Sequence, residues 1–259
     1  VDSAYAKLAR ACHHLDELTR SVHDYRARDP HQFTREFTNH LLRPDHVVAK
    51  LRVTVSEPIP TEWPLIIGDL LTNLRAALDH ALYGHVTAAH TLSPTAERSL
   101  QYPILTNHEK WPTVSTKLAA WCDPRVLGAI EATQPFKSTA PDEHPLAVMN
   151  GLVNSDKHRS IRVVTYNRHE VTVTNCPLTV VSIDDKPKEM ADGAVIATIT
   201  LERPKSSPGG KPRQHLVPFD TEVGYVEEVF LPVPGRQGMS GGSSRGWSVR
   251  LVGSWWPRR

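Results

Sequence analysis

The sequence predicts an α+β fold, helices first and an antiparallel sheet afterwards. Two observations carry that expectation. The hydrophobic repeat is three to four residues up to about position 155 and falls to two beyond His158, and the two kinds of segment do not alternate, as a parallel α/β sheet would need. A chain of 259 residues is also long enough to bury a sizeable core.

Taken in order, Ala4, Leu8, Ala11, Leu15, Leu18, Val22 and Tyr25 recur at alternating four- and three-residue steps. They predict a first helix whose apolar stripe needs a partner helix, ended by Asp29-Pro30, because proline disfavours helical backbone at the residue before it. Val47 to Val55 is β-branched and partly alternating, a short strand before Pro58 and Pro60. Thr61-Glu62-Trp63-Pro64 reads as a helix start, with a threonine cap and proline where its missing N–H does no harm. The helix it opens runs to about Ala89, apolar over more than half its circumference and therefore expected at the centre of a bundle. Further helices are expected near Thr113–Trp121, Arg125–Thr133 and His144–Ser155. After His158, Ile161–Tyr166, Val171–Thr174, Leu178–Ile183, Ala194–Leu201 and Val223–Leu231 read as short strands, separated by turn residues such as Asn167, Asp184-Asp185 and Asp192-Gly193. The chain thus divides into a helical region, 1–160, with a short strand near 47–55, an antiparallel β region, 161–233, and a Gly/Arg-rich tail, 234–259, whose composition fits disorder or one last edge strand.

The net charge of +2 hides an asymmetry: residues 1–228 sum to −3, whereas 229–259 carry five arginines and no acid. No apolar run approaches the roughly 18 to 20 residues that cross a bilayer, and the opening VDSAYAKLARACHH lacks a signal peptide's apolar centre, so a cytoplasmic protein with no membrane partner is expected. Cys12, Cys122 and Cys176 lie far apart and read as free thiols. No phosphate loop, dinucleotide fingerprint, nucleophile elbow or H-E-x-x-H is present, so no cofactor and no metal motif are expected. Trp63, Trp111 and Trp121 are expected to pack, since no basic residues cluster around them.

The densest polar cluster in an apolar helix is GDLLTNLRAALDH, residues 68–80. Asn73 and His80, seven apart, share one face, and Arg75 and Asp79 are i,i+4 neighbours on the next. An Arg75–Asp79 surface pair, worth a few tenths of a kcal/mol, accounts for that spacing; so does a site. The second cluster, Asn154-Ser155-Asp156-Lys157-His158-Arg159, falls where a helix should end. Its cations would complement a helix C-terminus. Asp156 and His158 brought against Asp79 and His80 would instead make a set able to hold a divalent metal.

Arg75-Ala-Ala-Leu-Asp-His80 resembles the R-x4-H form of the signature of HEPN-type helical ribonucleases, a family of toxins, defence proteins and RNA-processing enzymes. GDLLTNLRAALDHALY, with QYPI at 101–104 and NSDKHR at 154–159, is similar over roughly residues 60–165 to a widespread family of uncharacterised bacterial proteins with N-L-R-x-A-L-D-H and N-x-x-D-K-H-R motifs. The first resemblance implies an N-terminal HEPN-like helical bundle and metal-independent endoribonuclease activity, possible in a toxin or defence setting, by attack of the ribose 2′-OH on the adjacent phosphodiester. His80 would move the proton and Arg75 would hold the phosphate, supported by Asn73, Asp79, Asp156, Lys157, His158 and Arg159. It also implies RNA as partner and a site composed across a homodimer. HEPN nucleases usually carry a polar residue directly after the arginine, where this chain has Ala76, and some carry a tyrosine two residues after the histidine, where it has Leu82 and then Tyr83. Two other expectations stand beside this one: a non-catalytic binding module whose polar groups satisfy one another, and a metal-dependent hydrolase using Asp79, His80, Asp156 and His158.

Overall fold

The computed structural model describes residues 2–156, 161–186, 188–203, 219–231 and 247–250. It has the expected α+β class. The chain forms two compact units: one of residues 1–20, 61–162 and 231–247, and one of 21–60, 163–230 and 248–259. The largest segment of the helical unit, 61–162, is therefore inserted into the chain of the sheet unit.

Helix α1 spans Asp2–Ala27, giving residues 2–20 to the helical unit and its last turns to the other. Its apolar stripe splits. Ala4, Ala11, Leu18, Val22 and Tyr25 are buried, whereas Leu8 and Leu15 stay 43% and 46% exposed, because a straight helix drifts out of a seven-residue repeat and presents only one side of a wide stripe to its neighbours.

In the helical unit, α2 (Trp63–Thr87) starts with Pro64 in its first turn, as the sequence predicts, although Thr61 makes no cap and the N-cap residue is Glu62. α3 (Pro94–Ser99), which the periodicity does not reveal, is started by Ser93, whose side chain accepts the Ala96 N–H. α4 (Trp111–Leu118), α5 (Pro124–Ala132, with Asp123 accepting the Arg125 N–H) and α6 (Pro145–Asp156) follow. Leu82 and Val86 of α2 pack with Leu100, Trp111, Leu118, Cys122 and Ile130 in one core. α6 packs against α2 and buries Met149, Leu152 and Val153.

In the sheet unit, a four-stranded sheet has the order β1-β2-β5-β4, where β1 is His31–Asn39, β2 His46–Val55, β4 Thr179–Asp184 and β5 Val195–Glu202. A second sheet joins β3 (Arg162–Thr174), β6 (Asp220–Leu231) and β7 (Trp247–Arg250). β1 is missing from the sequence reading, and the expected short strand near 47–55 belongs with this sheet: β2 pairs antiparallel with β5, Ala49 opposite Ile199 and Val47 opposite Leu201. Val47, Ala49, Leu51 and Val53 are buried on one face of β2, in the alternation that pleating requires. β3 runs through Asn167, where a turn was expected. The Asp192-Gly193 turn is present. Gly193 has φ +75°, its N–H donates to the Val53 carbonyl at 2.9 Å, and Asp192 accepts the Val55 N–H. Of the expected tail, only Trp247–Arg250 falls among the described residues.

The sheet unit also buries charge. Glu227, 1% exposed, takes both Nε and Nη2 of Arg26. Beside it the rings of Tyr25 and Tyr225 lie 6.2 Å and 4.8 Å from His31, whose Nδ1 has no hydrogen-bond partner among the described residues. Tyr25 donates to the Glu57 carbonyl at 3.0 Å, and burial, with Glu227 and Glu57 nearby, pushes its pKa up to about 12.

Burial holds the His31 pKa below its ordinary value, against the opposing pull of Glu227. The native state therefore keeps His31 neutral while the unfolded chain protonates it near pH 6.5. Its contribution is complete above that pH and lost as pH falls through it. Urea unfolding at pH 7.5 and pH 5 should give a smaller acid-side loss of stability for His31→Leu than for the parent chain; equal losses would refute the assignment.

Candidate functional site

Residues 102–105 belong to no helix or strand, so their backbone polar groups need partners from side chains. α2 supplies them on one side. Arg75 and Asp79, one turn apart, form a two-point ion pair, Nε to Oδ2 at 3.2 Å and Nη2 to Oδ1 at 3.0 Å. Together they grip Tyr102: Asp79 Oδ1 accepts its N–H at 2.8 Å, and Arg75 Nη2 donates to its carbonyl at 2.8 Å. Gln134, buried just beyond α5, holds the rest. Its Nε2 donates to the Pro103 carbonyl and its Oε1 accepts the Leu105 N–H, each at 3.0 Å. The Tyr102 hydroxyl meets Thr133 Oγ1 at 2.5 Å, and the Phe136 N–H donates to the Leu105 carbonyl at 3.1 Å. Gln134 is a site residue that the sequence reading missed, since a lone glutamine after a helix carries no periodic or motif signal.

This stretch walls a cavity of about 660 Å³, within the usual range for a ligand pocket. Arg75, Lys117, Trp121, Asn150 and Asn154 contribute its functional groups. Its charged lining residues are Arg75 and Lys117, with no carboxylate among the described residues that line it. Trp63 and Trp111 are buried as expected, and Trp121, half-buried, packs against the helical core as expected while also lining the cavity.

Three segments that the sequence singles out, the polar stretch of α2, residues 101–104 and the described end of α6, meet here. Arg75 and Asp79 hold QYPI, and Asn154 lines the same cavity as Arg75. Asp156, at the end of α6, sits against α2 so closely that a Cβ at Gly68 would lie 2.7 Å from its Oδ2. Glycine at 68 is what admits that carboxylate. The other predicted residues go elsewhere. Asn73 turns its Nδ2 back to the Asp69 carbonyl at 2.8 Å, a bond within its own helix. His80 is half-buried, and its Nδ1 lies 2.6 Å from Ser3 Oγ of α1. It stands five residues from Arg75, about 140° around the helix, and does not line the cavity. Tyr83 donates to Glu97 at 2.5 Å. Lys157, His158 and Arg159 lie outside the described residues.

Both oxygens of Asp79 are committed, to Arg75 and to the Tyr102 N–H, so it is a poor metal ligand, and no group of three His, Cys, Asp or Glu able to hold a metal occurs among the described residues. No helix there is long and apolar enough to cross a membrane.

Gln134→Ala would strand the Leu105 N–H and the Pro103 carbonyl. It should cost about 2 to 4 kcal/mol of unfolding free energy and speed hydrogen exchange at Leu105, whereas a loss under about 0.5 kcal/mol would mean the stretch is held by packing alone. Comparison with protein-family models, with curated proteins and with solved structures finds no match for this chain.

Proposed function

We propose that the helical unit binds RNA at the cavity beside Arg75 and cleaves it without a metal, as the R-x4-H resemblance implies. The charge of the cavity supports this reading: among the described residues that line it, two cations, no carboxylate, two asparagine amides and a half-buried indole form a wall suited to phosphate and base. Arg75 contacts the phosphate. It is oriented by Asp79 and by the Tyr102 carbonyl, and its Nη1 keeps a donor that no described residue takes. Lys117 is exposed, unpaired among the described residues, and adds a second positive charge. The Trp121 face offers a stacking platform.

His80 supplies proton transfer, since the two ring nitrogens of an imidazole can accept and donate a proton. The angle of about 140° separating it from Arg75 keeps the two off a single phosphate within one copy. Cleavage accordingly uses Arg75 of one copy and His80 of a second, in a two-fold symmetric homodimer. Three free thiols, Cys12, Cys122 and Cys176, fit the reducing interior of the cytoplasm.

A second reading, binding without cleavage, has its own support in the hydrogen bonds that already occupy Nε and Nη2 of Arg75. Two measurements separate the readings. Fluorescence anisotropy with single-stranded RNA across a salt series should give Lys117→Ala a log–log slope shallower by about 0.7, one phosphate contact; an unchanged slope removes Lys117 from the interface. In a cleavage assay, Arg75→Lys and His80→Ala should each be inactive while folded, and their mixture should recover about one quarter of parental activity, because half of the dimers are mixed and each has one intact site. Cleavage by His80→Ala alone would end the catalytic reading; RNA binding with no cleavage by the parent chain would establish the second.

A further inference from the structure

Ile104 and Asn150 line the cavity beside Arg75 and also a smaller one of about 240 Å³, so the two adjoin. Their walls have opposite character. The larger carries two cations, whereas Asp142 is the charged residue of the smaller, accompanied by the Thr106 hydroxyl and the Asn150 amide. Among the described residues, no side-chain hydrogen bond or ion pair engages Asp142, Thr106 or Asn150; Asp142 sits in a short 3-10 turn, Pro141–Glu143.

At about 240 Å³ the smaller cavity falls below the roughly 300 to 1,000 Å³ that encloses a whole small ligand, so it suits part of a ligand whose remainder occupies its neighbour. That part must bring hydrogen-bond donors, because an ionised carboxylate only accepts. The remainder must be anionic to suit Arg75 and Lys117. A ribonucleotide meets both conditions in one molecule: sugar hydroxyls that donate, next to a phosphate and a flat base. A carboxylate on the ribose 2′-OH is an established way of holding such a sugar in other folds, and that hydroxyl separates RNA from DNA.

We propose that the smaller cavity is a ribose subsite, in which Asp142 accepts hydrogen bonds from the sugar hydroxyls of a nucleotide whose phosphate and base lie in the larger cavity beside Arg75, Lys117 and Trp121. This rests on the reading of the larger cavity as an RNA site and adds the residue that selects the sugar. Asp142 is exposed, so deoxyribose costs the complex the charge-assisted hydrogen bond from the 2′-OH, while the carboxylate keeps its water. Thr106 and Asn150 complete the polar wall around the sugar.

The test compares single-stranded RNA and DNA of one sequence by anisotropy, with the full chain carrying His80→Ala so that the RNA stays intact. The expected result is about tenfold tighter binding of RNA than of DNA, the size of one charge-assisted hydrogen bond. Adding Asp142→Ala should bring that ratio to about one without weakening DNA binding, since a negative charge has been taken away. Asp142→Asn, which keeps the shape and loses the charge, should fall between, and circular dichroism checks that both variants fold. Equal affinity for RNA and DNA before Asp142 is changed, or a preference that survives Asp142→Ala, overturns the ribose subsite and leaves the larger cavity as a nucleic-acid site. Binding of neither strand overturns both.

Discussion

The helical unit depends on a backbone that has no sheet to join. Residues 102–105 lie outside every helix and strand, and each buried N–H or carbonyl left without a partner would cost about 1 to 3 kcal/mol. Arg75 and Asp79 from one helix, and Gln134 from just beyond another, meet that demand from opposite sides. A helix surface and a glutamine stand in for neighbouring strands. The cavity follows from this arrangement, because the stretch so held is its wall.

The same grip sets the chemistry of Arg75. An arginine facing a cavity alone would be mobile, costly to order and free to swing away. Paired at two points with Asp79 and bonded to a carbonyl, its guanidinium plane is fixed, and its remaining amino group is left as a directed donor. Position on α2 also separates roles: the Arg75 side turns to the cavity and the His80 side to Ser3 of α1. Helical periodicity thus puts the two side chains in different surroundings within one copy.

The sheet unit is organised around a different constraint. Burying Glu227 and Arg26 removes two charges from water, and only their two-point geometry limits the cost. His31 beside them is kept neutral by burial and enclosed by tyrosine rings. Because β2 pairs with β5 across some 150 positions of sequence, this sheet rests on long-range pairing whose loop-closure cost slows its formation.

Much of the fold was legible in residue order. Period, proline and turn residues placed α1, α2, α5, α6 and most strands to within a few positions, because these are local effects of helix geometry and backbone restriction. β1 escaped because Arg35 sits between Phe33 and Phe37 on their face and breaks the apolar alternation; in the sheet that arginine covers the Phe219 ring at 4.9 Å. Of the site, the spacing gave the Arg75–Asp79 pair, and nothing in it gave Tyr102 as their shared partner, Gln134, Trp121 facing a cavity, or Asp156 against Gly68. The sequence by itself determined which segments are helix or strand and which side chains share a helix face. Tertiary structure alone decided which distant backbone those side chains satisfy, since hydrogen bonding and packing between segments leave no period in the chain that makes them.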